Sequence, residues 1–173
     1  AETERHSRVA VERFCSSILA RGLEEVIVAE VPKKRRFMHP DTILGRVNEG
    51  LVLAYPPALR RTWLLTAGKR REILDFRAFL AERGIELIAV SDAEQRSLAC
   101  TFVALSRGVI LHYETALCSA TRRRLARRGV EVIPFQPRAL LAGGGSLRCM
   151  TLRLHRQREG ASRARQTPPS GTV

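Results

Sequence analysis

The segment Leu80-Ala81-Glu82-Arg83-Gly84-Ile85-Glu86-Leu87-Ile88 recurs as Leu125-Ala126-Arg127-Arg128-Gly129-Val130-Glu131-Val132-Ile133. A looser copy runs Leu19-Ala20-Arg21-Gly22-Leu23-Glu24-Glu25-Val26-Ile27. Each copy reads as the end of an amphipathic helix, a glycine stop and then a β-branched strand. Glycine suits that stop because the residue leaving a helix often takes a positive φ.

A second pattern interleaves with the first. Gly50-Leu51-Val52-Leu53-Ala54-Tyr55-Pro56-Pro57-Ala58-Leu59 matches Gly108-Val109-Ile110-Leu111-His112-Tyr113-Glu114-Thr115-Ala116-Leu117. Another apolar stretch precedes each glycine, Thr42 to Val47 and Thr101 to Leu105, so each pair predicts a hairpin across a short turn. Together the two patterns predict α/β architecture built from repeated ββαβ units. Helices are expected near 7–21, 71–83 and 115–128, and a last strand over Cys149–Leu154. A single unit of this kind does not bury its own apolar face, so units pack against one another. Residues 155–173 drop into Arg, Gln, Ser, Pro and Gly without periodicity. They are expected to form a disordered basic tail behind a domain spanning 1–154.

At 173 residues, with 45% hydrophobic and 27% charged, the chain has the balance of a soluble globular domain. No apolar run approaches the roughly 18 residues of a membrane span, and a charged start argues against a signal peptide. The chain does not begin with Met, which fits processing or a piece of a longer protein. The net charge is +13, yet only Lys33, Lys34 and Lys69 among the 30 basic residues are lysines. With aromatics at 5%, stacking platforms are scarce, so the charge reads as a solvated surface rather than a nucleic-acid footprint. The cysteines Cys15, Cys100, Cys118 and Cys149 form no CxxC pair, and no His stands at metal-ligand spacing from them. A reducing cytoplasm is the expected location, with Cys15, Cys100 and Cys118 in the core.

Two places carry candidate chemistry. Gly143-Gly144-Gly145-Ser146-Leu147-Arg148-Cys149-Met150-Thr151 is a glycine run leading to a cysteine, where backbone amides approach a ligand or lower a thiol pKa. In Phe37-Met38-His39-Pro40-Asp41-Thr42, an extended backbone would set His39 and Asp41 on one face. A thiol with an imidazole is the minimum for cysteine nucleophilic catalysis, and a carboxylate holds a cationic substrate. Taken singly, each also has a plain reading: a packed cysteine, a flexible turn, a surface His–Asp pair. The arginines at 122–124 and 127–128 read as a solvated helix face.

Together these residues resemble the arginine deiminases. Lys33 to Thr42 is similar to that family's Met-His-Leu-Asp-Thr segment, and Gly143 to Thr151 to its glycine-rich loop with the nucleophile. Glu4-Arg5-His6 resembles its Glu-Arg-Thr segment, in which an Arg at the opening of a helix contacts the substrate carboxylate. The resemblance covers residues 1 to about 154. It implies a pentein-type α/β propeller of the amidinotransferase superfamily, here its C-terminal part. It also implies a cysteine hydrolase of arginine catabolism that yields citrulline and ammonia with no metal or organic cofactor. Cys149 would be nucleophile, His39 general acid and base, and Asp41, Arg5 and Gly145 substrate-binding.

The sequence departs from the family in places. Gly144 stands where an Arg usually precedes the Cys by five positions, Pro40 replaces a Leu, and Cys100-Thr101 aligns with an Asn pair. A second Asp and a Glu that orients the His belong to upstream blades. The implied partners are a small guanidino substrate and either a second copy of the chain or missing N-terminal blades. Neither a membrane nor nucleic acid is expected. A hydrolase of methylated arginine, or an inactive relative serving as a basic binding protein, is the alternative.

Overall fold

The computed structural model describes residues 1–136 and 138–152. Residues 153–154 of the expected last strand and the basic tail 155–173 lie outside the described residues. Nine strands form three small sheets, and five α-helices connect them among the described residues.

Helix α1 (Arg8–Leu19) starts where the Ser7 side chain accepts from the Ala10 amide, as an N-cap does. Strand β1 (Val26–Glu30) follows it. Next come β2 (Leu44–Asn48) and β3 (Leu51–Ala54), then β4 (Arg61–Thr66) and β5 (Lys69–Ile73), both pairs antiparallel hairpins. Helix α2 (Phe76–Ala81), strand β6 (Glu86–Ala89) and helix α3 (Asp92–Arg96) lead to β7 (Val103–Ser106) and β8 (Val109–Tyr113). Helix α4 (Ser119–Ala126), strand β9 (Glu131–Phe135) and helix α5 (Arg138–Ala142) close the order.

Two sheets are copies of one plan. In β2–β3–β6 and β7–β8–β9 the first pair is antiparallel and the second parallel, with Leu53 opposite Ile88 and Leu111 opposite Ile133. Each hairpin carries a register shift one residue before its turn, at Arg46/Asn48 and at Ala104/Ser106. Each helix ends alike: Gly84 and Gly129 have φ of +68°, and the next amide returns to Leu80 O (2.9 Å) or Leu125 O (3.1 Å). That is why the glycine recurs, since a Cβ at this φ is strained. The ββαβ units expected from the repeats are therefore present.

Three expectations need correction. Residues 71–73 do not open the helix expected over 71–83: they belong to β5, paired with β4, and α2 begins only after Asp75, whose side chain caps it. The β4–β5 hairpin leaves its own unit and joins β1 in the third sheet, with Val28 opposite Trp63. Helix α4 begins at Ser119, later than the 115 expected. Leu147–Met150 is a 3-10 turn, so Cys149 does not start a strand.

Strand β3 lies between two cores, which explains its unbroken apolar run. Leu51 and Leu53 face Ile88, Phe102 and Ile110, while Val52 and Ala54 face Leu64, Phe79 and Leu87. Leu53, Ile88, Ile110 and Leu125 are fully buried, each contributing roughly 1.5–3 kcal/mol. At the rim, Asn48 Nδ2 donates to Arg107 O (2.9 Å) and Arg128 pairs with Glu86, tying one unit to the next. No described helix is long and apolar enough to cross a membrane.

Candidate active site

The segment between Lys34 and Ile43 is built from two successive 3-10 turns, Arg35–Phe37 and Pro40–Thr42. His39 keeps extended dihedrals (φ −110°, ψ 127°), but Pro40 locks φ and turns the chain at once. The strand-like alternation expected for His39 and Asp41 is thus absent. They still meet at one place, because both line a cavity of about 1230 Å³ that also takes in Arg46, Arg107, Arg148 and Thr151. His39 is exposed and Asp41 half-buried. Asp41 Oδ2 lies 3.8 Å from Arg148 Nε, a loose ion pair across the cavity.

The second side of the site is the Gly143–Thr151 loop. Gly144 has φ of +74°, so the position where the family carries an Arg here suits glycine best. The loop is held from below. Tyr113, fully buried and stacked on Phe135, donates its hydroxyl to Gly145 O (3.2 Å), and Leu147 packs on Tyr113 and Ala116. Burial first and the neighbouring Cys149 second push the Tyr113 phenol above its ordinary value, so it stays a donor. The exposed Cys149 thiol sits 3.3 Å from Ser146 Oγ, and this hydroxyl rather than His39 is its partner. Cys149 lies between two cavity-lining residues, Arg148 and Thr151, without lining the cavity itself.

Of the residues expected to bind substrate, Gly145 is placed by Tyr113, whereas Arg5 stays apart. Arg5 is exposed, three residues ahead of α1, with its amide on Thr3 Oγ1 (3.1 Å). The segment Glu4–His6 therefore precedes the helix instead of opening it, and Arg5 does not line the cavity. Cys118 is also corrected: it is exposed at the N-terminus of α4, while Cys15 and Cys100 are buried as expected.

Beneath the site lies a layer of buried polar groups. Burial pushes Cys100 up to about 12, and its thiol donates to Ile43 O (3.4 Å), so it is an inert core group. Burial works against the Glu94 carboxylate too, but donors from Ser91, Thr121 and Cys118 outweigh it and hold its pKa at about 2. Glu94 thereby caps α3 and receives the amide at the head of α4 in one step. None of Tyr113, Ser146, Arg148 or Gln95 was singled out in the sequence, where each resembles ordinary loop or strand composition.

The arginine deiminase family model matches residues 3–156, nearly the whole chain. The chain belongs to the arginine deiminase family. The arginine deiminase of Listeria welshimeri is 30% identical over 177 residues, covering 90% of this chain and 43% of that protein. The chain thus spans less than half the length of that relative. Among solved structures, the fold is shared with AgrE in its ternary complex with ornithine and NAD+ (TM-score 0.52, 23% identity, 73% of this chain, 17% of that one). It is shared as well with the N-terminal domain of ArgZ bound to product, an arginine dihydrolase of cyanobacteria (TM-score 0.50, 27% identity, 69% of this chain, 39% of that one). The family assignment agrees with the motifs around His39 and Cys149.

Proposed function

We propose that this chain carries the nucleophile half of an arginine-deiminase-type active site, which hydrolyses the guanidino group of arginine to citrulline and ammonia. The observation that supports it most is that His39 and Asp41 converge on one cavity with Arg148 and Thr151, which stand on either side of Cys149-Met150. In this reading the Cys149 thiolate attacks the guanidinium carbon while Asp41 pairs with the guanidinium nitrogens and aligns that carbon. A C–N bond then breaks as His39 delivers its proton to the departing ammonia, leaving an amidino group on sulfur. His39 next takes a proton from water, whose oxygen adds to the same carbon, and the C–S bond breaks to release citrulline and thiolate. One water is consumed and one ammonia released. No step draws on a metal or organic cofactor.

Within this proposal the three sheets are blades of a larger propeller over residues 1–154, completed by further residues of a longer protein or by a second copy. Exposed Val9, Phe14 and Ile27 on the outer α1–β1 edge, and Ile133 and Phe135 on β9, fit faces that other sheets cover. Arg5 reaches the substrate carboxylate only once that assembly brings it to the cavity. The protein would work in the cytoplasm.

The test is citrulline and ammonia release from L-arginine, with Cys149→Ser beside the native chain, both alone and mixed with the upstream half of a family member. Turnover that disappears with Cys149→Ser supports the assignment. No turnover in either condition defeats it.

A further inference from the structure

We propose that Gln95 is a positioning residue for the His39–Asp41 loop. The inference rests on the functional reading above and adds a residue that it does not use. Gln95 lies on α3, outside the cavity, and is almost wholly buried (1% exposed). Its side-chain Nε2 donates to Arg36 O and to Thr42 O, both at 3.3 Å. Those carbonyls are the two ends of the segment that carries His39, Pro40 and Asp41. One amide group therefore draws the ends of the loop together and projects its middle toward the cavity.

The chemistry fixes which way round the amide sits. Two carbonyl oxygens converge on one end of the side chain, and only the NH2 end satisfies both, since it has two donors. Gln95 Oε1 is left buried with no partner. A buried acceptor without a donor is unfavourable, so the arrangement is held by what the NH2 does and not by the satisfaction of the whole group. The same carbonyl of Arg36 also faces Thr42 Oγ1 (3.0 Å), whose single proton it shares with His39 O at 2.7 Å. Arg36 is further anchored to α3 by its Nη1 on Asp92 Oδ1 (2.8 Å). The loop is thus tied to α3 at its entry by both Asp92 and Gln95, and at its exit by Gln95 alone among the described α3 side chains.

Gln95→Leu keeps the bulk and removes both donors; Gln95→Glu keeps the shape and offers one donor only when its carboxyl is protonated. Imidazole NMR resonances of histidine-labelled full chain are the primary readout, with His39 assigned by His39→Gln. In both variants the His39 resonances shift or broaden and those of His112 stay in place. Where the native chain turns over arginine, Gln95→Leu lowers kcat on the order of a hundredfold, the loss expected from displacing a reacting group by about 1 Å. Gln95→Glu recovers part of that loss as the pH is lowered, and the unmoved His112 resonances separate this from a general loss of structure. Should Gln95→Leu fail to fold, Gln95→Glu, which keeps the shape of the side chain, carries the expectation for His39 by itself. A folded variant whose His39 resonances and titration superimpose on the native ones overturns the proposal. Absence of turnover in the native chain counts against the deiminase reading alone, because the His39 resonances still decide the role of Gln95.

Discussion

His112 makes the stability of this protein depend on pH in a window that ordinary surface histidines do not occupy. Its ring is fully buried: Nε2 lies 3.0 Å from Ala99 O, and the Tyr113 amide donates to Nδ1 (2.8 Å). That pair of contacts selects the tautomer with the proton on Nε2, because Nδ1 is already an acceptor. A second proton would have to enter at Nδ1, facing an N–H. Burial, with Arg122 as a further unfavourable charge and against the pull of Ala99 O, lowers the pKa from 6.5 to about 4. The unfolded chain therefore binds the proton first as pH falls. Stability is fully present above about pH 6.5, declines through the window and levels off below about pH 4. The gap corresponds to roughly 3 kcal/mol in all, about 2 kcal/mol of it lost by pH 5. Urea unfolding followed by the fluorescence of Trp63, the sole tryptophan, at pH 7, 6 and 5 reads this directly. His112→Gln is expected to be about 1–3 kcal/mol less stable at pH 7, through imperfectly made hydrogen bonds, yet nearly flat between pH 7 and 5. A native chain that loses nothing between pH 7 and 5, or a variant with the same slope, refutes the reasoning.

Two further expectations follow from the same geometry. A small alkylating reagent should label Cys149 and Cys118 in the native state and leave Cys15 and Cys100 unmodified until unfolding, as peptide mass mapping would read; arginine should slow Cys149 alone. Among the glycines, Gly129→Ala should cost about 1–2 kcal/mol through its positive φ alone, because an added Cβ meets nothing within 4 Å. Gly45→Ala should cost more, since its Cβ would stand 2.1 Å from Cys100 O and 2.6 Å from the Phe102 ring, and urea midpoints would rank the two.

Much of the fold was legible because it repeats. The glycine after each helix and the apolar pairs before Gly50 and Gly108 mark local geometry, which needs no distant partner to be read. The β4–β5 hairpin was harder to see. Lys69-Arg70-Arg71-Glu72 has no apolar alternation, and it is strand because one edge pairs with β4 while the side chains stay in solvent. Leu147–Met150 erred the other way: an apolar Leu and Met flank Cys149, but the loop turns because Leu147 is pulled onto Tyr113 and Ala116. At the site, motif residues could be named from type and spacing. Their support could not, since the Gln95, Tyr113 and Ser146 contacts join segments far apart or depend on which way a short turn points.

By itself the sequence determined the α/β class, the repeating unit and the resemblance of its His39 and Cys149 motifs to the arginine deiminases. These depend on local backbone preferences and on motif chemistry, both of which are written residue by residue. Only the tertiary structure decided that Arg5 stands apart from the cavity and that Gln95 gathers the ends of the loop that bears His39. The Gln95 contacts join segments separated by more than fifty positions in the chain. A local pattern carries no information on which distant carbonyl a buried amide will meet.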